Sequence, residues 1–190
     1  MEYLKKVIGE KCFLSPIDTS ASKLVAKWSN DPDISIKTGD IADLITYEDQ
    51  KKYLEQMTSS HGYGFYIVDN AKGGVIGVAR LMRVNHTHKN ALAGIFIGNQ
   101  DDKNRGVGTE ALSLLVDFGF NIINLKNIMV EVFSYNKPSL RMCEKVGFKT
   151  IGSRRKAISF GDIEFDEVFL DIVNEDFKSP YYKNIIDKLK

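Results

Sequence analysis

The run Gly98-Asn99-Gln100-Asp101-Asp102-Lys103-Asn104-Arg105-Gly106-Val107-Gly108-Thr109-Glu110 lies between an apolar stretch and a long amphipathic one, where a strand would hand over to a helix. Backbone amides converge at such a helix N-terminus and favour an anion, phosphate above all. Gly106 and Gly108 put no Cβ between an anion and the main chain, successive amides can form a nest, and Lys103 and Arg105 add positive charge. A glycine turn capped by Thr109 accounts for the glycines equally well. The loop lacks the Gly-Lys-Ser/Thr of a nucleoside-triphosphate loop, and its glycine spacing is not that of a dinucleotide fingerprint.

Other reactive side chains are sparser. His86 and His88 alternate in a polar segment without a third ligand nearby, a pattern of a surface loop more than of a metal site, and no metal is expected. Cys12 and Cys143 are far apart and without a framework spacing, which suits free thiols in a reducing compartment such as the cytoplasm. Trp28, Tyr47, Tyr53, Tyr63 and Tyr66 are spaced to line a pocket or to fill a core.

The elements that must carry the loop follow from periodicity. Residues 11–16 read as a strand, and residues 18–30 carry Leu24, Val25 and Trp28 at helical spacing until Asp31-Pro32 stops them. A second helix is expected from Thr46, whose hydroxyl can cap a first turn holding Glu48 and Asp49, to about residue 60; residues 34–45 fit neither period. Residues 63–68 and 75–84 make a hairpin, and residues 92–97, apolar throughout, a strand buried on both faces. Beyond the glycine loop, Ala111, Leu112, Leu115, Phe118 and Ile122 mark a long helix. A strand at 127–133, a helix begun by Pro138, strands at 149–155 and 163–173, and a loosely docked helical tail at 180–190 follow. This order predicts a single α/β domain with a mixed, partly antiparallel central sheet flanked by helices.

Composition bounds the partners. A chain of 190 residues that is 43% hydrophobic can bury one full core. Lys and Arg number 26 against 25 Asp and Glu, so no strong net field draws it to nucleic acid or a bilayer, and any charged partner is met locally. Charges scattered through residues 1–10 argue against a signal peptide, and no stretch approaches the ~20 apolar residues of a membrane span.

With these motifs in view, the chain resembles the GNAT superfamily of N-acetyltransferases, in particular the branch of the ribosomal-protein N-terminal and spermidine acetyltransferases. Its Gln/Arg-x-x-Gly-x-Gly/Ala loop corresponds to Lys103-Asn104-Arg105-Gly106-Val107-Gly108, with Lys at the first position. Thr109-Glu110-Ala111-Leu112, Phe118, Phe120, Glu131-Val132-Phe133-Ser134-Tyr135-Asn136-Lys137-Pro138-Ser139 and Glu144-Lys145-Val146-Gly147-Phe148-Lys149 carry the same likeness, which spans residues 63–177. It implies a V-shaped splay between strands 4 and 5 of the family, with residues 1–62 as acceptor-side N-terminal helices, 63–177 as the acetyl-CoA-binding core and 178–190 as a tail.

The resemblance further implies a cosubstrate, acetyl-CoA, and direct transfer of its acetyl group to a primary amine in a ternary complex. The acceptor would be a protein N-terminus, a polyamine, an aminosugar or another small amine; a homodimer and a cytoplasmic location are expected by the same analogy. Backbone groups of Ile95, Phe96 and Ile97 would meet the pantetheine arm, Lys103, Asn104, Arg105, Gly106, Val107, Gly108 and Thr109 the pyrophosphate, and Asn136 the pantetheine again. Glu131 matches a glutamate that serves as base in a relative, or is a strand glutamate on a solvent face. Asp101, Asp102, Asp162, Glu164, Asp166 and Glu167 are weaker candidates. Cys143 stands where many relatives carry a Tyr that protonates the departing thiolate; it either substitutes for that phenol or is a small packed residue, in which case Ser139 or a water serves. The missing Tyr motivates an alternative, a catalytically degenerate CoA-binding or sensing module.

Overall fold

Pro32 ends one helix and begins another: Asp31 takes an extended conformation, its carboxylate accepts from the Asp33 amide, and Pro occupies the first turn, where its missing N–H costs nothing. The segment that fitted neither period thus contains a short helix, stopped by Gly39 in the left-handed conformation. In the computed structural model, which describes residues 2–59, 62–102, 104–179 and 181–189, the order is β1 (Val7–Ile8), β2 (Cys12–Pro16), α1 (Ser22–Ser29), α2 (Pro32–Thr38) and α3 (Tyr47–Ser59). Then come β3 (Tyr63–Asp69), β4 (Val75–Asn85), β5 (Asn90–Ile97), α4 (Val107–Asn121), β6 (Asn127–Phe133), α5 (Lys137–Val146), β7 (Lys149–Phe160), β8 (Ile163–Val173) and α6 (Tyr182–Ile186). Thr46 caps α3 as its sequence predicts, accepting from the Asp49 amide at 3.1 Å.

The strands form one mixed sheet in the order β1-β2-β3-β4-β5-β6-β8-β7, antiparallel except where β6 lies parallel to β5 after the α4 crossover. The first 62 residues therefore supply two strands of this sheet as well as three helices. Alternation divides the side chains between two faces. Leu81, Ala91, Ala93, Ile128, Val130 and Val132 pack under α4, whereas Phe13, Tyr66, Val68 and Val78 pack with Val25, Trp28 and Leu54 under α1 and α3. Trp28 and Tyr66 thus belong to the core, while Tyr47 and Tyr53 are exposed. Among the described residues no helix is long and apolar enough to cross a membrane.

Two carboxylates on α4 tie the chain ends to the centre. Glu110 accepts from the amides of Glu10, Lys11 and Cys12 at 2.9, 2.8 and 2.9 Å, fixing the β1–β2 turn. Asp117, fully buried, accepts from Asn121 Nδ2 and Ser179 Oγ at 2.6 Å and from the amides of Tyr181 and Tyr182 at 3.0 Å. The tail expected to dock loosely is instead anchored. Asp117→Ala leaves these donors without their acceptor and is expected to cost about 2–4 kcal/mol. Urea unfolding measures this, and limited proteolysis should show cleavage after Lys178; an unchanged midpoint would dismiss the anchor.

Candidate functional site

Beyond Leu92 the parallel pairing of β5 with β6 ends: the register runs Asn90 to Asn127, Ala91 to Ile128 and Leu92 to Met129, and no further pair forms on that side among the described residues. β5 stays paired with β4 up to Ile97, and the Gly98 amide donates to the Ile76 carbonyl at 2.8 Å. In an antiparallel ladder main-chain groups alternate sides. Because Gly98 points its amide at β4, Phe96 and Gly94 do the same, and Ile95 and Ile97 turn their amides and carbonyls into the gap. The V-shaped splay is present, and it offers unpaired donors and acceptors. For Phe96 the expected backbone role is corrected: its main chain faces β4 and its ring meets Trp28 edge-on at 6.0 Å.

The glycine loop follows. Asn104 and Gly106 lie in the left-handed region at φ 60 and 78, Gly106 caps α4 with backbone alone, and no side chain caps the helix, so Thr109 is not the cap. The first amides of α4, at Val107, Gly108 and Thr109, consequently lack intrahelical acceptors. A Cβ on Gly108 would stand 3.2 Å from Met142 Sδ and 3.6 Å from Ile97, which places the helix start against the end of β5. Lys103 lies outside the described residues. Arg105 contributes its main chain, but its guanidinium turns inward to the fully buried Asp69 at 2.6 Å and to Asp102 at 3.4 Å, which Lys72 also meets at 2.6 Å. Burial acts to raise the Asp69 carboxyl; the Lys72 and Ala71 amides and Arg105 outweigh it and hold the group below its ordinary value. The cation that does sit at the loop is Lys11, whose ammonium donates to the Arg105 carbonyl at 3.1 Å and lies 2.7 Å from where a Gly106 Cβ would be. A cavity of about 350 Å³ on the α1 side holds Asp101 and Asp102 as well as Lys27 and Lys72, a mixed wall unsuited to a polyanion.

Across the gap stand β6 and α5. Asn136 caps α5, accepting from the Ser139 amide at 3.3 Å, and Pro138 occupies the first turn. Cys143 is 2% exposed within the α4-side core, and burial pushes its thiol up to about 12 against the lowering effect of a hydrogen bond with Ser139. A thiol held there gives up its proton too reluctantly to serve a thiolate whose own value is near 8.5, which favours the packed role. Glu131 falls on the opposite face from Ile128, Val130 and Val132, accessible to solvent and 3.9 Å from Arg83. Three of the last hairpin's candidate carboxylates are occupied structurally: Glu164 pairs with Lys156, Glu167 with Arg154, and Asp166 accepts from the Lys156 amide. His88 lies in an exposed turn, its amide bonded to Asn85, and no group of three metal-ligating side chains occurs among the described residues.

The acetyltransferase (GNAT) domain family matches residues 12–149. The chain belongs to the GNAT acetyltransferases. A probable N-acetyltransferase of Bacillus subtilis, YjcK, is 33% identical over 141 residues, 70% of this chain and 76% of that protein. Spermidine N(1)-acetyltransferase of Escherichia coli K12 is 30% identical over 76 residues, 40% of each chain. Among solved structures, spermidine N-acetyltransferase of Vibrio cholerae in complex with CoA and spermine superposes with a TM-score of 0.80 at 16% identity, covering 88% of this chain and 98% of that one. The microcin C7 self-immunity acetyltransferase MccE, crystallised with acetyl-CoA and AMP, superposes at 0.70 with 18% identity, covering 87% and 93%.

In this GNAT chain the groups that fit a phosphopantetheine arm are main-chain ones: the open edge of β5 and, beyond the glycine loop, the uncapped start of α4. Sequence reasoning missed Lys11 and Glu110 as partners, which lie about a hundred residues apart and carry no local signal. A negative side chain at the α4 start should repel the pyrophosphate: Gly108→Glu is expected to weaken CoA binding at least a hundredfold at unchanged helix content, measured by calorimetry and circular dichroism. Unaltered affinity would refute the loop assignment. Cys143→Ala should keep turnover within about twofold while lowering stability by about 1 kcal/mol; a large rate loss in a stable variant would restore the proton-donor role.

Proposed function

We propose that this protein moves the acetyl group of acetyl-CoA to a primary amine by direct attack in a ternary complex. The observation that carries the reading is the unpaired edge of β5 running into a helix start that no side chain caps. The main-chain groups of Ile95 and Ile97 hold the pantetheine as a further strand would be held. The amides from Asn104 to Thr109, with Lys11 beside them, hold the pyrophosphate. Asn136 adds what its capping role leaves over, the NH2 end of its amide. Bound acetyl-CoA supplies the activated thioester.

Glu131 takes the proton. An aliphatic ammonium with a pKa near ~10 is only about one part in a thousand neutral at pH 7, so attack needs a base at the acceptor. Glu131 stands on the solvent-accessible face of β6, with the Arg83 guanidinium at 3.9 Å. On the thiolate side Ser139, half-buried in the first turn of α5, relays a proton from water, since Cys143 is packed away. The acceptor range includes protein N-termini, aminosugars, other small amines and, from the relatives named for spermidine, polyamines. The two buried free thiols fit a reducing compartment, so a cytoplasmic homodimer belongs to the same proposal; the Vibrio enzyme is described as dodecameric.

The buried Cys143 also favours a second reading, a CoA-binding module without turnover. Calorimetric titration with acetyl-CoA, CoA, ATP and NAD separates the readings from an unrelated nucleotide site, and thiol release with any amine ends the module reading. Glu131→Gln is expected to lower kcat by about 10²–10⁴ at neutral pH. Partial recovery should appear as pH rises toward the amine's own pKa, because the free amine then forms without help. A pH–rate profile parallel to the parent's would return Glu131 to a structural role.

A further inference from the structure

A groove of about 410 Å³ opens on the face of the sheet that carries Glu131, lined by Tyr53, Met57, Arg80, Met82 and Arg83 among others, and no carboxylate is found among its described lining residues. Arg80 lies on this face above Gly94: a Cβ there would meet Met82 Cε at 3.1 Å and Arg80 Nε at 3.4 Å. Gly94 is the second residue beyond the last β5–β6 pair, so the groove ends beside the mouth of the splay. The Tyr53 hydroxyl accepts a hydrogen bond from Arg80, whose guanidinium lies 6.0 Å from the Tyr53 ring centroid; the head group is therefore held in place but keeps most of its donors for something else. Arg83 sits at a break in the β4–β5 register, at φ 50, a conformation that a long side chain rarely adopts. Bulges of this kind re-aim side chains, and here the strain turns Arg83 toward the groove and toward Glu131.

Among the described residues the charged groups lining the groove are thus two guanidiniums, with the Glu131 carboxylate 3.9 Å from the second. We infer that the acceptor amine also carries an anionic group, a carboxylate or phosphate, which Arg80 and Arg83 bind while its amine nitrogen stands beside Glu131. This rests on the acetyltransferase reading and names its substrate class. Guanidinium forks suit carboxylate and phosphate oxygens. A polyamine would have to set its remaining ammonium groups against the same two cations, with no acid among the groove's described lining residues and Glu131 the carboxylate beside them. Tyr53, Met57 and Met82 give the connecting carbons an apolar wall.

The test compares aspartyl-alanine and O-phosphoserine with spermidine. Thiol-release kinetics should give the anionic amines the higher kcat/KM. Arg83→Gly, which suits the left-handed backbone and so keeps the fold, and Arg80→Gln should each raise KM for those amines on the order of tenfold to a hundredfold, the loss of one charged hydrogen bond. Calorimetric affinity for acetyl-CoA should stay unchanged. Independently of turnover, the arginine side-chain N–H resonances of Arg80 and Arg83 should move on titration with O-phosphoserine and stay still with spermidine. Spermidine acetylated as well as or better than the anionic amines, or arginine resonances blind to them, overturns the inference and leaves the acetyltransferase reading intact. Absence of acetyl-CoA binding would strike that reading, while the resonance titration would still decide the groove.

Discussion

After Leu92 β5 keeps one neighbour and loses the other, and the rest of the site follows from that single divergence. A buried strand with one side unpaired leaves amides and carbonyls whose desolvation must be met by some partner. The half-buried state of residues 94–97, against the full burial of 91–93, marks where that demand begins. A ligand bearing amides along an extended arm answers it as a strand would, and one ending in a pyrophosphate can continue onto the α4 amides. Neither β5 nor the loop has this property alone; the ladder alternation that points Ile95 and Ile97 outward joins them.

Holding that opening in place is the work of charges the site does not use. Glu110 fastens the β1–β2 turn to the first turn of α4, which brings Lys11 over Gly106. Asp69 and Asp102, both buried, fix the loop through Arg105 and Lys72. Breaking a buried pair of this kind is costly because the remaining charge stays in the interior. Asp69 has a folded value below its unfolded one, so its contribution is present above the ordinary carboxylate range and is lost as pH falls through the folded value. The loop's geometry is therefore stable across neutral pH, where its ligand is fully charged.

How much of this could be read from the sequence depends on the range of the signal. Strands 127–133 and 163–173 coincide with β6 and β8 because alternation and turn residues are local. The glycine loop was legible for the same reason, as was the cap at Thr46. What escaped was pairwise and distant. Arg105 beside two glycines reads as a phosphate ligand, yet Asp69, 36 residues away, takes its guanidinium. Cys143 looks like a substitute acid until its burial is known. The splay itself depends on where two strands part, which no residue pattern encodes; only the resemblance supplied it. α2 was obscured because seven residues are too few for a period to show against Asp31-Pro32, itself as much a start as a stop.

The register of β6 links the cofactor side to the acceptor side. Ile128, Val130 and Val132 are buried under α4 and α5, so Met129, Glu131 and Phe133 must face the other way, over the surface that carries Arg80, Met82 and Gly94. A slip by one residue would put Glu131 in the apolar core and Val130 or Val132 in solvent, an exchange disfavoured by several kcal/mol from the apolar burial alone. The same hydrophobic alternation that stabilises the strand thus decides which face receives the Glu131 carboxylate. On the far face of β6, α2 closes the wall: Tyr135 donates to the Ile36 carbonyl, and Gly39 lies close enough to Phe133 that a Cβ would touch its ring at 3.0 Å. Glu131 accordingly stands between an aromatic wall and an arginine, on the side of the sheet away from α4.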